Sequence, residues 1–558
     1  MRHRAQDRRR DAQKGLREEG RDLFQDFRMY SRFVLELPRY LAQKDTVEGG
    51  RALLEERLAN REQNFLRIAE RAIYGYEKSP YLPLLRAAGC EFGDLRKMAA
   101  ADGLEETLRT LRQADVYIRF EEFKGREPLT RNGSVSPISS DDFNNPFLKR
   151  HFDTESGGST GVGTRNPQDL DHKAAKAPVS MLVKSLQGIL DLPRARVGGR
   201  LPFGMGPPGW FAGARQGHVA ERWFVPVMSE ARKPEMRYRF AHHYMVTMAR
   251  IYGVKVPKPE PLRLEDVVEV AYWAAETLQA RGPCSVHCTP SMALRICIAA
   301  REAGVDLTGA VFVLGGEPLT EAKMAGITAT GARAFANYHM SEVGLVGAAC
   351  MRPHGVNDHH LMLDHLGVIQ WPRRVGDTEV DPLLLTSLLP TSPRILLNVE
   401  IDDYGVIEDR LCACPLDELG LHTHVRDVRS FGKLTAEGVT LVGTEMEHVL
   451  ESVLPSRFGG SALDYQLVEE EDEQGFTRIC LNVSPSVALE DEMAVIDTVL
   501  GGLDKASLSS DLAARLWNET GAIRIRRVEP VMSGRGKLLP LRSDHRRPLA
   551  ATGQEGRA

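Results

Sequence analysis

The segment from Leu262 to Leu314 constrains the fold more than any other part of the chain. Apolar residues recur at helical spacing from Val267 to Leu278, and a short apolar element follows near Val286. A second helical pattern runs from Met292 to Ala303, and Val311-Phe312-Val313-Leu314 then reads as a buried strand. Strands that alternate with helices build a sheet whose faces the helices cover, so the expectation here is an α/β fold.

The rest of the chain does not continue this pattern. Met1 to about Asp22 mixes Arg2, Arg4, Arg8, Arg9 and Arg10 with Asp7, Asp11, Glu18, Glu19 and Asp22, and such a segment is expected to be a solvated helix or a disordered arm. Leu54, Leu58, Phe65, Ala69 and Ile73 mark a helix with one apolar face, ending at the Ser79-Pro80 break. The Gly/Pro-rich passage Pro193 to Gly217, with Gly206-Pro207-Pro208-Gly209, reads as a loop or insertion that cannot propagate a helix.

After about Asp427 the pattern becomes that of a small α+β domain. A strand is predicted at Val439 to Val442 and a helix at Glu445 to Leu454. Paired strands follow at Tyr465 to Val468 and Arg478 to Val483 around the turn Glu470 to Gly475, then a helix at Asp491 to Leu500 and a strand at Ile523 to Val528. The expected divisions are a charged extension over 1–50, a large domain over 51–427, a small domain over 428–545 and a polar tail over 546–558.

Composition narrows the function classes. A chain of 558 residues with 42% apolar and 27% charged content is long enough for two or more domains with large cores. A net charge of -4 gives no global field favouring nucleic acid or an anionic membrane surface. No apolar run approaches the roughly 18 to 20 residues that span a bilayer, and eight scattered cysteines suit a reducing compartment, so a cytoplasmic protein without disulfides is expected.

Four segments carry the chemistry. Ser156-Gly157-Gly158-Ser159-Thr160-Gly161 places small residues and hydroxyls where backbone N–H groups can reach phosphate oxygens, although an exposed linker has the same composition. Gly315-Gly316-Glu317-Pro318 follows the strand at Val311 to Leu314 and allows a flat ligand to approach the backbone. Asn337-Tyr338-His339-Met340-Ser341-Glu342 combines an aromatic face for a base, a hydroxyl for phosphate and a carboxylate for Mg²⁺. Gly534-Arg535-Gly536-Lys537 presents a lysine in a glycine loop. No Walker Gly-x-x-x-x-Gly-Lys-Ser/Thr motif occurs, which disfavours a kinase or motor ATPase.

In this order and spacing the segments resemble the adenylate-forming superfamily. Thr289-Pro290-Ser291, Gly316-Glu317-Pro318-Leu319-Thr320 and Tyr338-His339-Met340-Ser341-Glu342-Val343-Gly344 are similar to its phenylacetate-CoA ligase branch, over about Asn64 to Leu541. The resemblance implies a large domain with sheets flanked by helices and a small mobile α+β domain that rotates between two half-reactions. It places Ser156 to Gly161 over the ATP phosphates, with Gly163-Thr164 standing where the family has Pro-Lys and Arg165 the nearest candidate for the missing charge. Gly316, Glu317 and Asn337 join the nucleotide site; Tyr338 stacks on adenine, with His339 in place of the usual glycine. Ser341 contacts phosphate, Glu342 binds Mg²⁺, Asp403 or its neighbour Asp402 holds the ribose, Arg429 marks the hinge, and Lys537 is the catalytic lysine.

The implied activity is ATP-dependent activation of a small carboxylic acid, aromatic acids among the candidates, and transfer of the acyl group to coenzyme A. Transfer to an amine, a carrier protein or a reductase partner is the alternative, and a non-catalytic nucleotide-binding scaffold is a third. Cys350, His360, Cys412 and Cys414 form a candidate zinc set, with His354 as substitute for His360 and ordinary reduced thiols as the competing reading. His287 and the pair His242-His243 are expected to be structural.

Overall fold

The computed structural model describes 28–131, 133–155, 165–199, 208–226, 236–375 and 378–430. Beyond these it describes 433–436, 439–442, 446, 449–472, 474, 476–504, 517, 520–530 and 541–543. The Ser156 to Gly161 loop, Lys537, the first charged segment and the polar tail lie outside the described residues.

A parallel sheet contains β1 (Arg194–Val197), β2 (Arg222–Pro226), β3 (Pro259–Leu262), β4 (Cys284–Cys288), β5 (Ala310–Leu314) and β6 (Arg333–Ala336), in the order β6-β5-β4-β1-β2-β3. Every residue of β5 is buried, as a strand covered on both faces requires. Helices α1 (Leu170–Leu186), α2 (Pro208–Gln216), α3 (Val268–Arg281), α4 (Pro290–Glu302) and α5 (Glu321–Thr328) accompany it. Thr289 caps α4 by accepting from Met292 N at 3.4 Å, and Pro290 sits in the first turn, where its missing N–H costs nothing.

The Gly/Pro-rich passage is not the loop its composition suggests. It supplies β1, which lies between β4 and β2, and it supplies α2. Pro208 occupies the first position of α2, where proline is compatible with a helix, while Trp210, Phe211 and Ala214 bury one face. Gly213 is needed there because a Cβ would lie 2.6 Å from the His218 carbonyl oxygen. The breakers mark the ends and a close contact, not the absence of a helix.

A second, antiparallel sheet contains β7 (Tyr338–Met340), β8 (Gly344–Ala349), β9 (Asp358–Leu361), β10 (Leu366–Gln370), β11 (Pro382–Ser387), β12 (Val399–Asp409) and β13 (Thr423–Ser430). Its order is β7-β8-β9-β13-β12-β11-β10. Leu104, Leu108 and Leu111 pack on it with Leu383, Leu385, Val399 and Val425 in the largest apolar core. Within the first fifty residues, 28–42 form a helix whose Phe33, Leu37 and Tyr40 pack with Phe152, Phe211 and Trp223.

The C-terminal part forms a small α+β unit. β14 (Tyr465–Glu471) and β15 (Thr477–Val483) pair antiparallel, while β16 (Ile523–Arg527) and β17 (Leu541–Ser543) add in parallel, giving the order β16-β15-β14-β17. Tyr465, Leu481, Val495 and Trp517 form its core with α6 (Glu492–Asp504).

Candidate functional site

The two large sheets meet at one residue. β6 ends the parallel sheet at Ala336, β7 opens the antiparallel sheet at Tyr338, and Asn337 stands between them. Its N–H donates to the Leu314 carbonyl at 3.0 Å, and its Oδ1 accepts from Ala349 N at 2.8 Å and from Gln187 Nε2 at 2.9 Å. Asn337 therefore ties β5, β8 and the end of α1 together and fixes how the following side chains enter the junction.

Tyr338 and Asp403 meet there. The tyrosine hydroxyl donates to Asp403 Oδ2 at 2.7 Å, and Ser430 Oγ donates to Oδ1 at 2.5 Å. Asp403 and Ser430 are direct partners across β12 and β13, so the sheet register sets this contact. Asp402 takes φ +66° and is buried. Arg429, the residue before Ser430 on β13, pairs with Tyr404.

Glu342 is buried close by, and Lys124 Nζ donates to its Oε1 at 2.6 Å. Burial disfavours the carboxylate, but the Lys124 ammonium and its hydrogen bond, with Arg394 further away, hold the carboxyl down at about 2. Ser341 beside it is exposed. Gly344, at φ +84°, admits Lys176: a Cβ there would lie 2.9 Å from the Lys176 ammonium, which donates to the Val343 carbonyl at 2.5 Å. The loop is thus pinned from both sides by lysines remote in sequence.

His339 is exposed at the mouth of this junction, and its Nδ1–H donates to the Asn337 carbonyl at 3.1 Å. That bond requires the proton on Nδ1, because a carbonyl oxygen only accepts.

Gly316 takes φ +92°, which the strand-end turn requires. Glu317 accepts from the Ser291 N–H at the start of α4, and Lys323 Nζ lies 3.9 Å from its other oxygen. Lys323, fully buried, also donates to Thr477 Oγ1 of β15 at 2.8 Å. Glu317 is therefore placed as an anchor for α4 and for the contact with the C-terminal unit. The segment proposed to cover phosphates is flanked by an antiparallel pair, Phe152–Glu155 and Arg165–Gln168, with Glu155 opposite Arg165.

A second cluster lies at the β8, β9 and β12 end of the antiparallel sheet. The ligand atoms of Cys350, His360, Cys412 and Cys414 all lie within 4.8 Å of one another. His360 Nδ1–H donates to the Leu421 carbonyl at 2.6 Å, which leaves the Nε2 lone pair facing Cys414 Sγ at 3.1 Å and Cys412 Sγ at 3.6 Å. Cys350 Sγ is 3.6 Å from Cys412 Sγ and accepts from Arg352 N at 3.3 Å. Tetrahedral zinc on thiolates separates sulfurs by about 3.8 Å, so these donors fit that ion. His354 lies instead at the surface, 4.0 Å from Glu408.

No protein-family model matches the chain, and no curated protein matches it by sequence. Solved structures do match. A 2-hydroxyisobutyryl-CoA ligase, solved with 2-HIB-AMP and CoA, is 16% identical with a TM-score of 0.53, over 87% of this chain and 90% of that one. The chain has the adenylate-forming fold. An amide bond synthetase from Marinactinospora thermotolerans is 13% identical with a TM-score of 0.40, over 86% of this chain and 92% of the other.

Within this adenylate-forming fold, Tyr338, Asp403 and Glu342 converge where the two sheets meet, while Asn337 and Glu317 turn to structural contacts. Lys124, Arg394 and Lys176 were not singled out by sequence, since each reaches the loop from a distant segment with no motif around it. Among the described residues no helix is long and apolar enough to cross a membrane.

Proposed function

We propose that the chain activates a carboxylic acid with ATP and passes the acyl group to coenzyme A, as a member of the phenylacetate-CoA ligase-like branch. A carboxylate oxygen attacks the α-phosphorus, the bond to the β-phosphate bridging oxygen breaks, and pyrophosphate leaves. The thiol of coenzyme A then attacks the acyl carbon of the mixed anhydride and AMP leaves, its phosphate taking the bonding electrons.

One observation carries this reading: an aromatic ring, a carboxylate for vicinal hydroxyls and a carboxylate for a cation sit together at the junction of the sheets. Tyr338 is hydrogen-bonded to Asp403 at 2.7 Å, and Glu342 is four residues along the same segment. Tyr338 offers its face to adenine and Asp403 accepts from the ribose. Glu342 would hold Mg²⁺, which would screen the triphosphate. Ser341 and the Ser156 to Gly161 loop receive phosphate oxygens, Arg429 serves the hinge, and Lys537 offsets charge at the α-phosphate. Cys350, His360, Cys412 and Cys414 would hold zinc, which would cross-link β8 and β9 to the loop after β12.

Mass spectrometry of the products from ATP, Mg²⁺ and a panel of acids, with and without coenzyme A, tests the proposal. Acyl-CoA together with AMP is expected for at least one acid. Acyl-adenylate and AMP without thioester would overturn coenzyme A as acceptor, and AMP-independent turnover would overturn the whole reading.

A further inference from the structure

The parallel sheet carries a group of cations that the adenylation chemistry does not use. Arg196 of β1 and His287 of β4 are direct partners in register, so their side chains leave the same face of the sheet. Arg194 lies two residues before Arg196 on that face, and Val313 and Phe335 extend it as an apolar floor with Ile189. Lys184 from α1 completes the group; burial, and after it the charges of both arginines and Lys184, depress the His287 imidazolium.

None of the three cations has a carboxylate within ion-pair distance among the described residues; Asp45, which pairs with Arg215, acts on Lys184 from beyond it. Lys184 Nζ donates to Gln216 Oε1 at 2.8 Å, and Arg194 donates to the Ile189 carbonyl at 3.2 Å. Arg196 has no hydrogen-bond or ion-pair partner among those residues, and its Nε is enclosed; the His287 Nε2 is enclosed and unpartnered in the same way. Arg196, His287 and Lys184 are each only partly covered, so they line a recess and are not sealed in the core. Burial lowers Arg196 to about 10, and burial with the two arginines, only partly opposed by Asp45, lowers Lys184 to about 7. Such a group is unfavourable in the empty protein and becomes favourable when an anion enters.

The recess adjoins the nucleotide junction. Arg196 and Lys184 both act on His339, and Gln187, just past α1, is bonded to Asn337. Val197 and Cys288, the next residues, are the carboxyl ends of their strands, where open α/β sheets receive ligands.

We propose that this recess binds a second anionic group of the acid substrate, so that the chain activates one carboxylate of a doubly anionic acid while Arg196 and His287 hold the other group. The inference rests on the adenylation reading and names its substrate class. The Arg196 guanidinium offers paired N–H donors to a carboxylate, and a protonated His287 adds a third donor once the anion is present. The apolar floor of Val313 and Phe335 accommodates the carbon skeleton between the two anionic ends.

Pyrophosphate exchange with matched acids tests this directly: pentanoate against glutarate, butanoate against succinate, and benzoate against isophthalate. For at least one pair the dianion is expected to have a kcat/KM higher by roughly 100-fold, because a site built for a charged group rejects the analogue lacking it. Arg196→Met and His287→Gln should each erase most of that preference through KM. Arg196→Met should leave the melting temperature unchanged or raised, since it removes an uncompensated cation; a lowered melting temperature would overturn the assignment. Exchange with monoanions and no preference for any dianion would overturn the inference and leave adenylation standing. Exchange with no acid would overturn adenylation, and calorimetry of glutarate and isophthalate on wild type and Arg196→Met then decides the recess, equal heats overturning it. Coenzyme A and dephospho-coenzyme A form the last comparison. A preference between them that Arg196→Met removes, with acid preference unchanged, would assign the recess to the acceptor's phosphate and overturn the proposal.

Discussion

The Tyr338 hydroxyl donates to Asp403 across 2.7 Å, joining the edge strand β7 of the antiparallel sheet to β12, next to the central strand β13. Ser430 holds the other carboxylate oxygen at 2.5 Å, so both oxygens of the aspartate are oriented, as the proposed ribose contact needs. Asp403→Asn should raise KM for ATP by roughly 10- to 100-fold, since hydrogen bonds to a charged group contribute about 1.5–3 kcal/mol. Tyr338→Phe, which keeps the ring, should cost only a few-fold. Initial rates against ATP concentration check both, and an unchanged KM in Asp403→Asn would contradict the ribose role.

Lys124 and Glu342 form a buried pair, and breaking it from one side should be costly. Lys124→Met leaves the Glu342 carboxylate uncompensated and should lower stability by about 3–5 kcal/mol at pH 7. The sign follows from the wild-type carboxyl, held near 2 against an ordinary value of 4.5. Its stabilisation is complete above about pH 4.5 and is lost as pH falls toward 2. The difference between wild type and variant should therefore shrink as the pH is lowered below about 5. Denaturant titrations at several pH values read this, and a constant difference would exclude Glu342 as the group involved.

The Cys350, His360, Cys412 and Cys414 cluster predicts one zinc per chain. Metal analysis of the purified protein should return that stoichiometry, and Cys414→Ser should remove it and lower the melting temperature. Protein free of zinc when purified with zinc supplied would leave the cluster as reduced thiols.

The proposed function gives Lys537 a role in the first half-reaction only. Lys537→Ala should lower adenylation by more than about 100-fold while sparing thioester formation from supplied acyl-adenylate, because charge stabilisation at the α-phosphate matters only in the first step. Equal loss in both steps would contradict a domain rotation that withdraws the lysine.

Local pattern was enough to read the alternation that builds β4, α4 and β5, and the hairpin of β14 and β15 followed from its polar turn. The Tyr338 to Glu342 segment stood out for a similar reason, since its candidate groups lie in consecutive residues. Lys124 was not, because its partner is 218 residues away and ion pairing leaves no periodic trace. The register of β12 on β13, which brings Asp403 and not Asp402 opposite Ser430, was not readable from the sequence, where both aspartates stood as ribose candidates. Arg196 was hidden by composition: it lies in a passage where glycines and prolines outweighed the buried residues that make β1 and α2.

The most direct measurement is exchange of labelled pyrophosphate into ATP by the purified chain across a panel of carboxylic acids. Acid-dependent exchange, requiring Mg²⁺ and lost in Glu342→Gln, is the predicted result. Absence of exchange with every acid, under conditions where the chain is folded and binds ATP, would contradict acid activation and favour a non-catalytic nucleotide-binding scaffold.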